Sequence, residues 1–268
     1  MTAPIRLFFF RSNTGVPNFG DELSPEVVAF VTGRRVQQAG RWGCDLTGVG
    51  SILDRYLSTK GRVVLGARAA LGRPVHVWGS GLIQPVTGQN RALRVLALRG
   101  QLTRQILNAA DSTPLGDPGL LAAAMLGKAN ARQGIGIVPH YSDKPDPMVA
   151  DLARLPGVRI IDTERGGPEV SADIARCEVI LSSSLHGLVV ADAYGIPNWR
   201  LRFGHQLKGG DFKFLDYASA LGRRSIVAQT LTSPEDALLL ARRDGDFAYQ
   251  SGVDGLCAGL ERALKSAF

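Results

Sequence analysis

Cysteine is scarce in this sequence. Its three cysteines, Cys44, Cys177 and Cys257, lie far apart and form no C-x-x-C pair. An odd number of widely spaced cysteines argues against a disulfide framework, and the lack of a close pair argues against a zinc knuckle. Free cysteine is one of the more commonly buried residue types. We therefore expect buried free thiols in a reducing compartment.

Long apolar segments are also missing. The longest apolar stretches among the 268 residues, such as 120–126, are far shorter than the roughly 20 residues that cross a bilayer. The apolar run 7–10 is followed by Arg11 and a loop with proline and glycine, which is not the layout of a signal peptide. We predict that this run is a buried first strand and that the protein is cytoplasmic.

Histidine pairs with metal-ligand spacing are absent, because His76, His140 and His205 form neither H-x-H nor H-x-x-x-H. We therefore expect no metal site. Hydrophobic residues make up 45% of the sequence and charged residues 21%, which is ordinary for a globular protein and excludes intrinsic disorder. A chain of 268 residues corresponds to one large domain or two small ones.

Positive charge is in excess: 31 lysines and arginines stand against 24 acidic residues, which gives a formal net charge of +7. This charge suits an anionic partner, which leaves nucleic acid, an anionic membrane surface and a phosphorylated substrate open. The basic clusters are short, aromatic residues do not interleave them, and no zinc-finger or RNA-recognition signature is present. Nucleic acid has the least support of the three, and we expect no nucleic-acid partner.

Short apolar runs alternate with amphipathic stretches along the chain. We predict strands at 5–10, 75–78, 94–98, 134–138, 158–162, 178–181 and 198–201, and helices at 24–32, 100–109, 146–155, 168–175, 185–194, 234–243 and 255–267. Such alternation is typical of doubly wound parallel α/β sheets. The polar segment 127–134 is the best linker candidate, so we predict two α/β domains, 1–127 and 134–268, facing a cleft. Ligands bind beyond the carboxyl ends of such strands.

The sharpest motif is LSSSLHG at residues 181–187, where an apolar strand ends and a helix begins. Serine is a favoured helix N-cap, and the first turn of a helix offers unpaired N–H groups that suit a phosphate or a carboxylate. His186 would lie in that turn, where it could donate a proton near neutral pH. A capped helix with a partly exposed histidine explains the same pattern without a catalytic role.

Arg99 follows the predicted strand 94–98 and precedes a helix. Its guanidinium could grip a carboxylate or phosphate at two points there, or simply close the strand at the surface. The glycine-rich segments 18–22, 48–53 and 78–82 are neither a Walker A motif nor a G-x-G-x-x-G fingerprint. They are either tight turns or loops that line a cleft edge with backbone amides.

Four further residues have open roles. Lys208 and Lys213 are candidate partners for an anion, although either could be a solvated lysine on a helix face. His140 closes the strand 134–138 at the ligand-facing end, where lining a cleft and packing a loop are equally consistent with it. Asp117, in an Asp-Pro-Gly sequence, predicts a turn with an exposed carboxylate.

Taken together, these motifs resemble the polysaccharide pyruvyl transferase family along most of the chain. The segment 18–22 resembles the family's amino-terminal N-x-G-D-x element, and 48–53 and 79–81 resemble its glycine loops. Arg99 with Thr103, then 116–118 and 138–141, follow in order, and 183–187 with 193–197 is the most specific match. Each motif is weak alone, but their order and spacing together are a strong resemblance.

The resemblance implies a two-domain fold similar to GT-B glycosyltransferases. Residues 1–127 would face the acceptor and 134–268 the donor, with the last helix packing back on the N-terminal domain. The implied reaction moves the pyruvyl group of phosphoenolpyruvate onto two hydroxyls of a sugar in a bacterial exopolysaccharide or cell-wall glycan. It forms a ketal and releases phosphate, with no metal or nucleotide cofactor. The acceptor would be a sugar or a lipid-linked oligosaccharide, and the protein would contact the inner membrane face peripherally.

The resemblance also implies roles by motif position. His186 would be the general acid, either protonating the donor carbon or assisting phosphate departure, and Arg99 would bind an anionic group of the donor. The family's downstream lysine maps to Lys213 first and Lys208 second. Some relatives have an arginine where this chain has Ser184, and Arg200 or Arg202 would compensate. The other implied residues are Ser183, Ser184, Leu185 and Gly187 for donor binding, and Asn18, Asp21, Gly50, Ser51, Gly79, Ser80 and His140 for the cleft and acceptor.

Two other functions stay open. A GT-B scaffold does not fix function, so the chain could be a glycosyltransferase that uses a nucleotide sugar. It could also be a non-catalytic relative that binds a glycan or an anion. Binding of phosphoenolpyruvate in preference to nucleotide sugars would distinguish the first. Binding that survives His186→Ala, without phosphate release from any acceptor, would identify the second.

Overall fold

The N-terminal half of the chain forms a five-stranded parallel sheet. The computed structural model describes residues 3–11, 15–87, 91–129, 131–204, 209–223 and 226–268. The strands are β1 (Ile5–Phe8), β2 (Val36–Gln38), β3 (Leu46–Thr47), β4 (Val75–Trp78) and β5 (Leu93–Ala97), in the spatial order β2-β1-β3-β4-β5. This is a doubly wound order in which the direction of winding reverses between β1 and β3.

Helices cover both faces of this sheet. They are α1 (Phe19–Thr32) after β1, α2 (Thr59–Ala70) after β3, and α3 (Gln101–Leu107) after β5. Val28 of α1 packs in one apolar cluster with Leu7. Leu65 of α2 packs in a separate cluster with Val77. The reversal of winding leaves a crevice beyond the ends of β1 and β3, where α1 begins.

The second half repeats the arrangement with four strands. A 3₁₀ turn (Pro118–Leu121) and α4 (Ala122–Leu126) precede β6 (Ile135–Val138), β7 (Val158–Ile160), β8 (Val179–Ser182) and β9 (Asn198–Arg200). All pairs are parallel, in the order β7-β6-β8-β9. The connecting helices are α5 (Pro147–Leu152), α6 (Gly167–Ala175) and α7 (Leu185–Ala193). Here the winding reverses between β6 and β8, which creates a second crevice.

In the described residues after β9, the α-helices are α8 (Phe212–Leu221), α9 (Asp236–Ala241) and α10 (Val253–Lys265). Helix α10 packs on the first sheet, where Leu260 and Leu264 join the apolar cluster of Trp78. The Trp78 indole Nε1–H donates a hydrogen bond to the Leu260 carbonyl at 2.9 Å. Helix α10 therefore completes the apolar core of the N-terminal sheet.

The predicted α/β fold class with two doubly wound parallel sheets is confirmed, and the GT-B-like arrangement of the two sheets stays a prediction. Every predicted strand is present, β4 with the predicted ends and the others with shifted ends. The short strands β2 and β3 and the helices α2, α4 and α8 were not predicted. The segment 127–134 connects the two sheets, and the domain limits 1–127 and 134–268 stay a prediction. The three thiols are free, with Cys257 half-buried and the other two buried. No helix in the described ranges is long and apolar enough to cross a membrane.

Helix α1 begins earlier than predicted, at Phe19 instead of Ser24. Asn18 is its N-cap, and the Asn18 Oδ1 accepts a hydrogen bond from the Gly20 N–H at 3.3 Å. The helix continues through Pro25. Residues 19–22 are therefore its first turn rather than a loop that precedes it, and this turn lies beyond the end of β1.

Candidate active site

The two crevices meet where α1 of the first half contacts α7 of the second. The Phe19 and His186 rings pack edge to face, with their centroids 6.2 Å apart. Gly20 lies directly against the imidazole, because a Cβ added at Gly20 would overlap the His186 ring. The carboxyl ends of both sheets therefore converge on one cleft, with His186 between them.

His186 is buried and faces a carboxylate of the first half. Its Nε2 lies 3.7 Å from Asp117 Oδ2. Both atoms are buried without a hydrogen-bond partner in the described part of the chain. Asp117 is itself fixed, because its Oδ1 accepts a hydrogen bond from the Gly119 N–H at 2.9 Å. Asp117 is thus placed to orient the imidazole, whose other nitrogen, Nδ1, lies against Gly20.

Asp21, in the first turn of α1, is only 7% exposed. Its carboxylate makes no hydrogen bond or ion pair with any residue that the structure describes. Burial raises the pKa of Asp21 to about 7, although the positive charges of His186, Lys213 and Arg55 oppose the rise. A buried carboxylate with a pKa near neutrality is suited to proton transfer.

Lys213 lies in the first turn of α8 and is 9% exposed, so it is not a solvated lysine. Within the described ranges its ammonium group has no hydrogen bond or ion pair, and its Nζ lies 5.1 Å from the Phe214 ring centroid. Burial, aided by the charges of Arg99 and Arg200, lowers the pKa of Lys213 to about 8. A buried ammonium group without a counter-ion is suited to bind an anionic ligand.

His140 lies in the same cleft, after β6. Its backbone N–H donates a hydrogen bond to Ser183 Oγ at 2.9 Å, and the Ser183 hydroxyl donates to Asp143 Oδ2 at 2.6 Å. Burial, with the charges of Lys213 and His186, lowers the pKa of His140 to about 3. His140 is therefore neutral at physiological pH. Through its two hydrogen bonds, Ser183 links the end of β8 to the segment that follows β6.

The start of α7 combines an open helix terminus with tight packing. Ser184 occupies the N-cap position, but its side chain accepts no hydrogen bond from the first-turn N–H groups, which leaves them without this capping partner. Leu185 is buried in an apolar cluster with Phe214. A Cβ at Gly187 would overlap Val138, so glycine lets α7 lie close to β6. Donor contacts of these residues stay a prediction.

A cavity of about 570 Å³ lies at the end of β9, beside Asp211, the N-cap of α8. The guanidinium carbon of Arg200 lies 3.7 Å from the Phe214 ring centroid, and the Arg200 Nε is buried without a partner among the described residues. Arg200 and Arg202 both donate hydrogen bonds to Asp211. The volume suits a small ligand. The cavity is lined by Asp143, Ser183, Arg200, Leu201, Arg202, Phe203, Gly204, Gly209, Gly210 and Asp211.

Arg99 is completely buried after β5, rather than exposed at a strand end. Its Nε donates to Asp216 Oδ2 of α8 at 3.0 Å, and one terminal nitrogen lies 2.9 Å from the same oxygen. Its other hydrogen bonds go to the Ser51 hydroxyl and the Leu82 carbonyl. The guanidinium is occupied by protein groups, and its predicted contact with the donor stays a prediction.

The glycine loops of the first sheet have distinct roles. Gly50 has a φ of +118°, and a Cβ there would lie 3.0 Å from Asp21 Oδ1, so glycine leaves room for that carboxylate. Gly79 has a φ of +72° and packs against Pro118. Ser80 is fully buried and donates a hydrogen bond to the Gly48 carbonyl. Asn18 caps α1, as described above. The acceptor contacts of these loops stay predictions.

The expectation for Asp117 was wrong, and the candidate Lys208 lies outside the described ranges. Asp117 is fully buried opposite His186, not exposed in a turn, because the 3₁₀ turn that it caps packs between the two halves. Lys208 falls outside the described residues. Asp216, which binds Arg99, was not predicted. No group of three or more histidine, cysteine or acidic side chains in the described ranges could hold a metal ion. The expected absence of a cofactor stays a prediction.

Comparisons with known proteins give two curated relatives. Uncharacterized protein L143 of Acanthamoeba polyphaga mimivirus is 35% identical over 135 residues, which are 47% of this chain and 47% of that protein. Succinoglycan biosynthesis protein ExoV of Rhizobium meliloti (strain 1021) is 26% identical over 224 residues, which are 80% of this chain and 64% of that protein. The chain thus matches less than two thirds of the length of either relative.

Among solved structures, the crystal structure of the glycotransferase of kitacinnamycin is similar to this chain with a TM-score of 0.36 and 11% identity. The similarity covers 90% of this chain and 70% of that one. A family model, Polysaccharide pyruvyl transferase, matches residues 18–202, from the N-cap of α1 past the end of β9. These residues are well over half of the chain and include both crevices. The chain therefore belongs to the polysaccharide pyruvyl transferase family.

Proposed function

We propose that this protein transfers the pyruvyl group of phosphoenolpyruvate onto two hydroxyls of one sugar in a bacterial exopolysaccharide or cell-wall glycan. The products would be a pyruvate ketal and phosphate. The observation that supports this most is the buried cluster at the meeting of the crevices. It combines a proton donor, His186, with a cation, Lys213, and a carboxylate, Asp21, and neither charged group has a partner among the residues that the structure describes. The proposed reaction uses no metal or nucleotide.

The donor is a dense anion, with a carboxylate and a phosphate on three carbons. We place one anionic group at Lys213 and the other near Arg200 and the first-turn N–H groups of α7. Fixed cations and helix N–H groups in a site that excludes water stabilise developing charge more strongly than they would in water. Burial is the main cause of the lowered pKa of Lys213, and the charges of Arg99 and Arg200 add to it; the bound donor would offset this positive charge.

The chemistry needs one acid and one base. In the first step, His186 gives a proton to the methylene carbon, the first sugar oxygen bonds to the central carbon, and Asp21 takes the hydroxyl proton. In the second step, the bond from the central carbon to the phosphate oxygen breaks. The second sugar oxygen then bonds to that carbon, and its proton leaves with the phosphate. The proton of the first hydroxyl, taken by Asp21, replaces the proton that His186 gave. The proton of the second hydroxyl ends on phosphate.

Asp21→Asn tests this assignment. We expect phosphoenolpyruvate to bind the variant as it binds wild type, while phosphate release with an acceptor falls about 100–10,000-fold, the usual size of a general-base contribution. In wild type, kcat/KM should rise with pH through about 7, because the carboxylate form of Asp21 is the base. The variant should lose that rise. Titration calorimetry and a phosphate-release assay over pH 5–9 measure both.

Ligand binding to the wild-type protein distinguishes a pyruvyl transferase from a nucleotide-sugar glycosyltransferase. Saturable binding of phosphoenolpyruvate and no binding of a nucleotide-sugar panel is the expected result, and thermal shift gives a second readout. At 100 times its dissociation constant a ligand stabilises by about 2.7 kcal/mol. The opposite preference would favour a nucleotide-sugar glycosyltransferase and contradict the proposal.

Gly20→Ala tests the position of the imidazole without removing it. A Cβ at Gly20 would overlap the His186 ring, so the ring must move. A displacement of about 1 Å can cost about 100-fold in rate, which is the loss we expect in kcat. Stability should hold, because alanine favours helix over glycine by about 1 kcal/mol. Gly66→Ala in α2, where a Cβ meets nothing within 4 Å, is the control and should keep full activity.

A further inference from the structure

A second buried carboxylate lies on the helix that carries His186, and the reaction proposed above does not use it. Asp192, near the end of α7, is only 2% exposed. A charge removed from water costs free energy unless hydrogen bonds and a counter-charge compensate for it. The partners of Asp192 therefore indicate which elements of the fold it holds.

In the described part of the chain, four side chains donate hydrogen bonds to Asp192. Its Oδ2 accepts one from the Tyr217 hydroxyl of α8 at 2.8 Å. Its Oδ1 accepts the others, from Asn198 Nδ2 of β9 at 2.7 Å, the Tyr249 hydroxyl at 2.8 Å and Gln250 Nε2 at 3.1 Å. Protein donors occupy both oxygens, so Asp192 can influence the reaction only through the elements that it binds.

Arg223 supplies the counter-charge of this network. Its Nη1 lies 3.9 Å from Asp192 Oδ2 and donates a hydrogen bond to Asn198 Oδ1 at 3.0 Å. Burial, together with the charge of Asp192, raises the pKa of both Tyr217 and Tyr249. Both phenols therefore stay protonated and remain donors at any pH used in an assay. A buried polar network whose members are satisfied holds its elements in one arrangement.

Helix α8 is tied at two consecutive residues to the two halves of the chain. Asp216 accepts a hydrogen bond from Arg99 of the first half, and Tyr217 donates one to Asp192 of the second. Both lie about one turn after Lys213. The Lys213 ammonium group has no partner within the described ranges, so the helix that carries it sets its position. The hydrogen bond from Tyr217 therefore ties this lysine to α7.

We propose that Asp192 is a positioning residue for the reaction. Through the Tyr217 hydroxyl, it holds Lys213 at the distance from α7 at which a bound donor meets the imidazole of His186. A hydrogen bond to a fixed carboxylate defines both a distance and a direction, which an apolar contact between the two helices does not. The inference rests on the proposed function, in which the lysine binds the donor and the histidine gives the proton.

Tyr217→Phe and Tyr249→Phe are a matched pair that tests this role. Each removes one hydroxyl 2.8 Å from the same carboxylate, but only Tyr217 belongs to α8. The Tyr217 ring packs in an apolar cluster with Leu188 of α7, and phenylalanine keeps that packing. We expect Tyr217→Phe to bind phosphoenolpyruvate about tenfold more weakly, the effect of losing one hydrogen bond to a charged acceptor. Tyr249→Phe should bind it as wild type does.

A double variant distinguishes positioning from a general loss of structure. If Tyr217 acts through the lysine, adding Tyr217→Phe to Lys213→Met should weaken phosphoenolpyruvate binding no further, because no cation is left to place. A purely structural loss would appear in full in both backgrounds. The rise of kcat/KM with pH through about 7 should keep its midpoint in Tyr217→Phe, since Asp21 is unchanged. Titration calorimetry and a phosphate-release assay measure these effects, and urea denaturation confirms that each variant is folded.

Three results would overturn the role of Asp192 alone, given that wild type binds phosphoenolpyruvate. They are wild-type affinity in Tyr217→Phe, an equal loss of affinity in Tyr249→Phe, and the same loss from Tyr217→Phe with and without Lys213→Met. Wild type that does not bind phosphoenolpyruvate would overturn the proposed function, and this inference with it.

Discussion

Replacing Arg99 by alanine is expected to lower the free energy of unfolding by about 3–5 kcal/mol, because it leaves a buried carboxylate without its counter-charge. Both side chains of the Arg99–Asp216 pair are fully buried. Asp216 would keep only its hydrogen bonds from Thr103, at 2.8 Å from the backbone N–H and 2.7 Å from the hydroxyl. Urea denaturation measures the loss. Arg94→Ala, exposed on β5, is the matched control and should change stability by less than about 0.5 kcal/mol.

The same substitution should weaken donor binding indirectly. Asp216 lies one turn after Lys213 on α8, and Gly100 packs against the Asp216 backbone. Arg99 therefore holds the helix that carries Lys213 in the cleft. Asp216→Asn, which alters no group that we place on the donor, should lose phosphoenolpyruvate affinity in parallel with Arg99→Ala. An Arg99→Ala variant as stable as wild type but unable to bind the donor would place the guanidinium on the donor instead.

Lys213→Met is expected to stabilise the protein and to weaken donor binding about 10–100-fold. The pKa of Lys213 is lowered by burial from 10.5 to about 8. At 1.36 kcal/mol per pKa unit, keeping this lysine charged costs the fold about 3 kcal/mol at pH 7. Methionine removes the charge and fills a similar volume. Urea denaturation at pH 7 and titration with phosphoenolpyruvate measure the two effects.

The stabilisation should depend on pH. Between pH 8 and 10.5 the unfolded chain binds more protons at this lysine than the folded chain, so wild-type stability gains with pH there. The advantage of Lys213→Met over wild type should therefore be full below pH 8 and vanish near pH 10.5. Lys60→Met, on the exposed surface of α2, removes the same charge without either effect. A Lys213→Met variant that binds phosphoenolpyruvate normally would contradict the donor assignment.

The order of strands and loops in the sequence was enough to predict that the candidate site residues lie close together. His140, Ser183 and His186 each follow an apolar run that the structure shows as a parallel strand, and such strands end at one edge of a sheet. The start of α1 was missed because the helix was predicted from Ser24. Asp21 consequently looked like part of a loop, although Asn18 is a favourable N-cap.

The pairings across the cleft were not predictable, because no local pattern encodes them. Arg99 and Asp216 are 117 residues apart in sequence. The Asp117-Pro118-Gly119 sequence is typical of an exposed turn. Its burial comes from Gly119 and Leu120 packing against α7 and α8, which only the assembled halves provide. Sequence reasoning therefore identified residues of the cleft but not the counter-charges that hold them.

Helix α10 has a consequence for how the chain is made. The hydrogen bond from the Trp78 indole cannot form until Leu260, 182 residues later in the sequence, has been synthesised. At about 5–20 residues per second, a ribosome adds those residues in about 10–35 s. During that time the face of the first sheet that α10 covers is exposed to solvent. The N-terminal sheet is synthesised first but is completed last, so a chaperone that covers its apolar face during synthesis would raise the yield of folded protein.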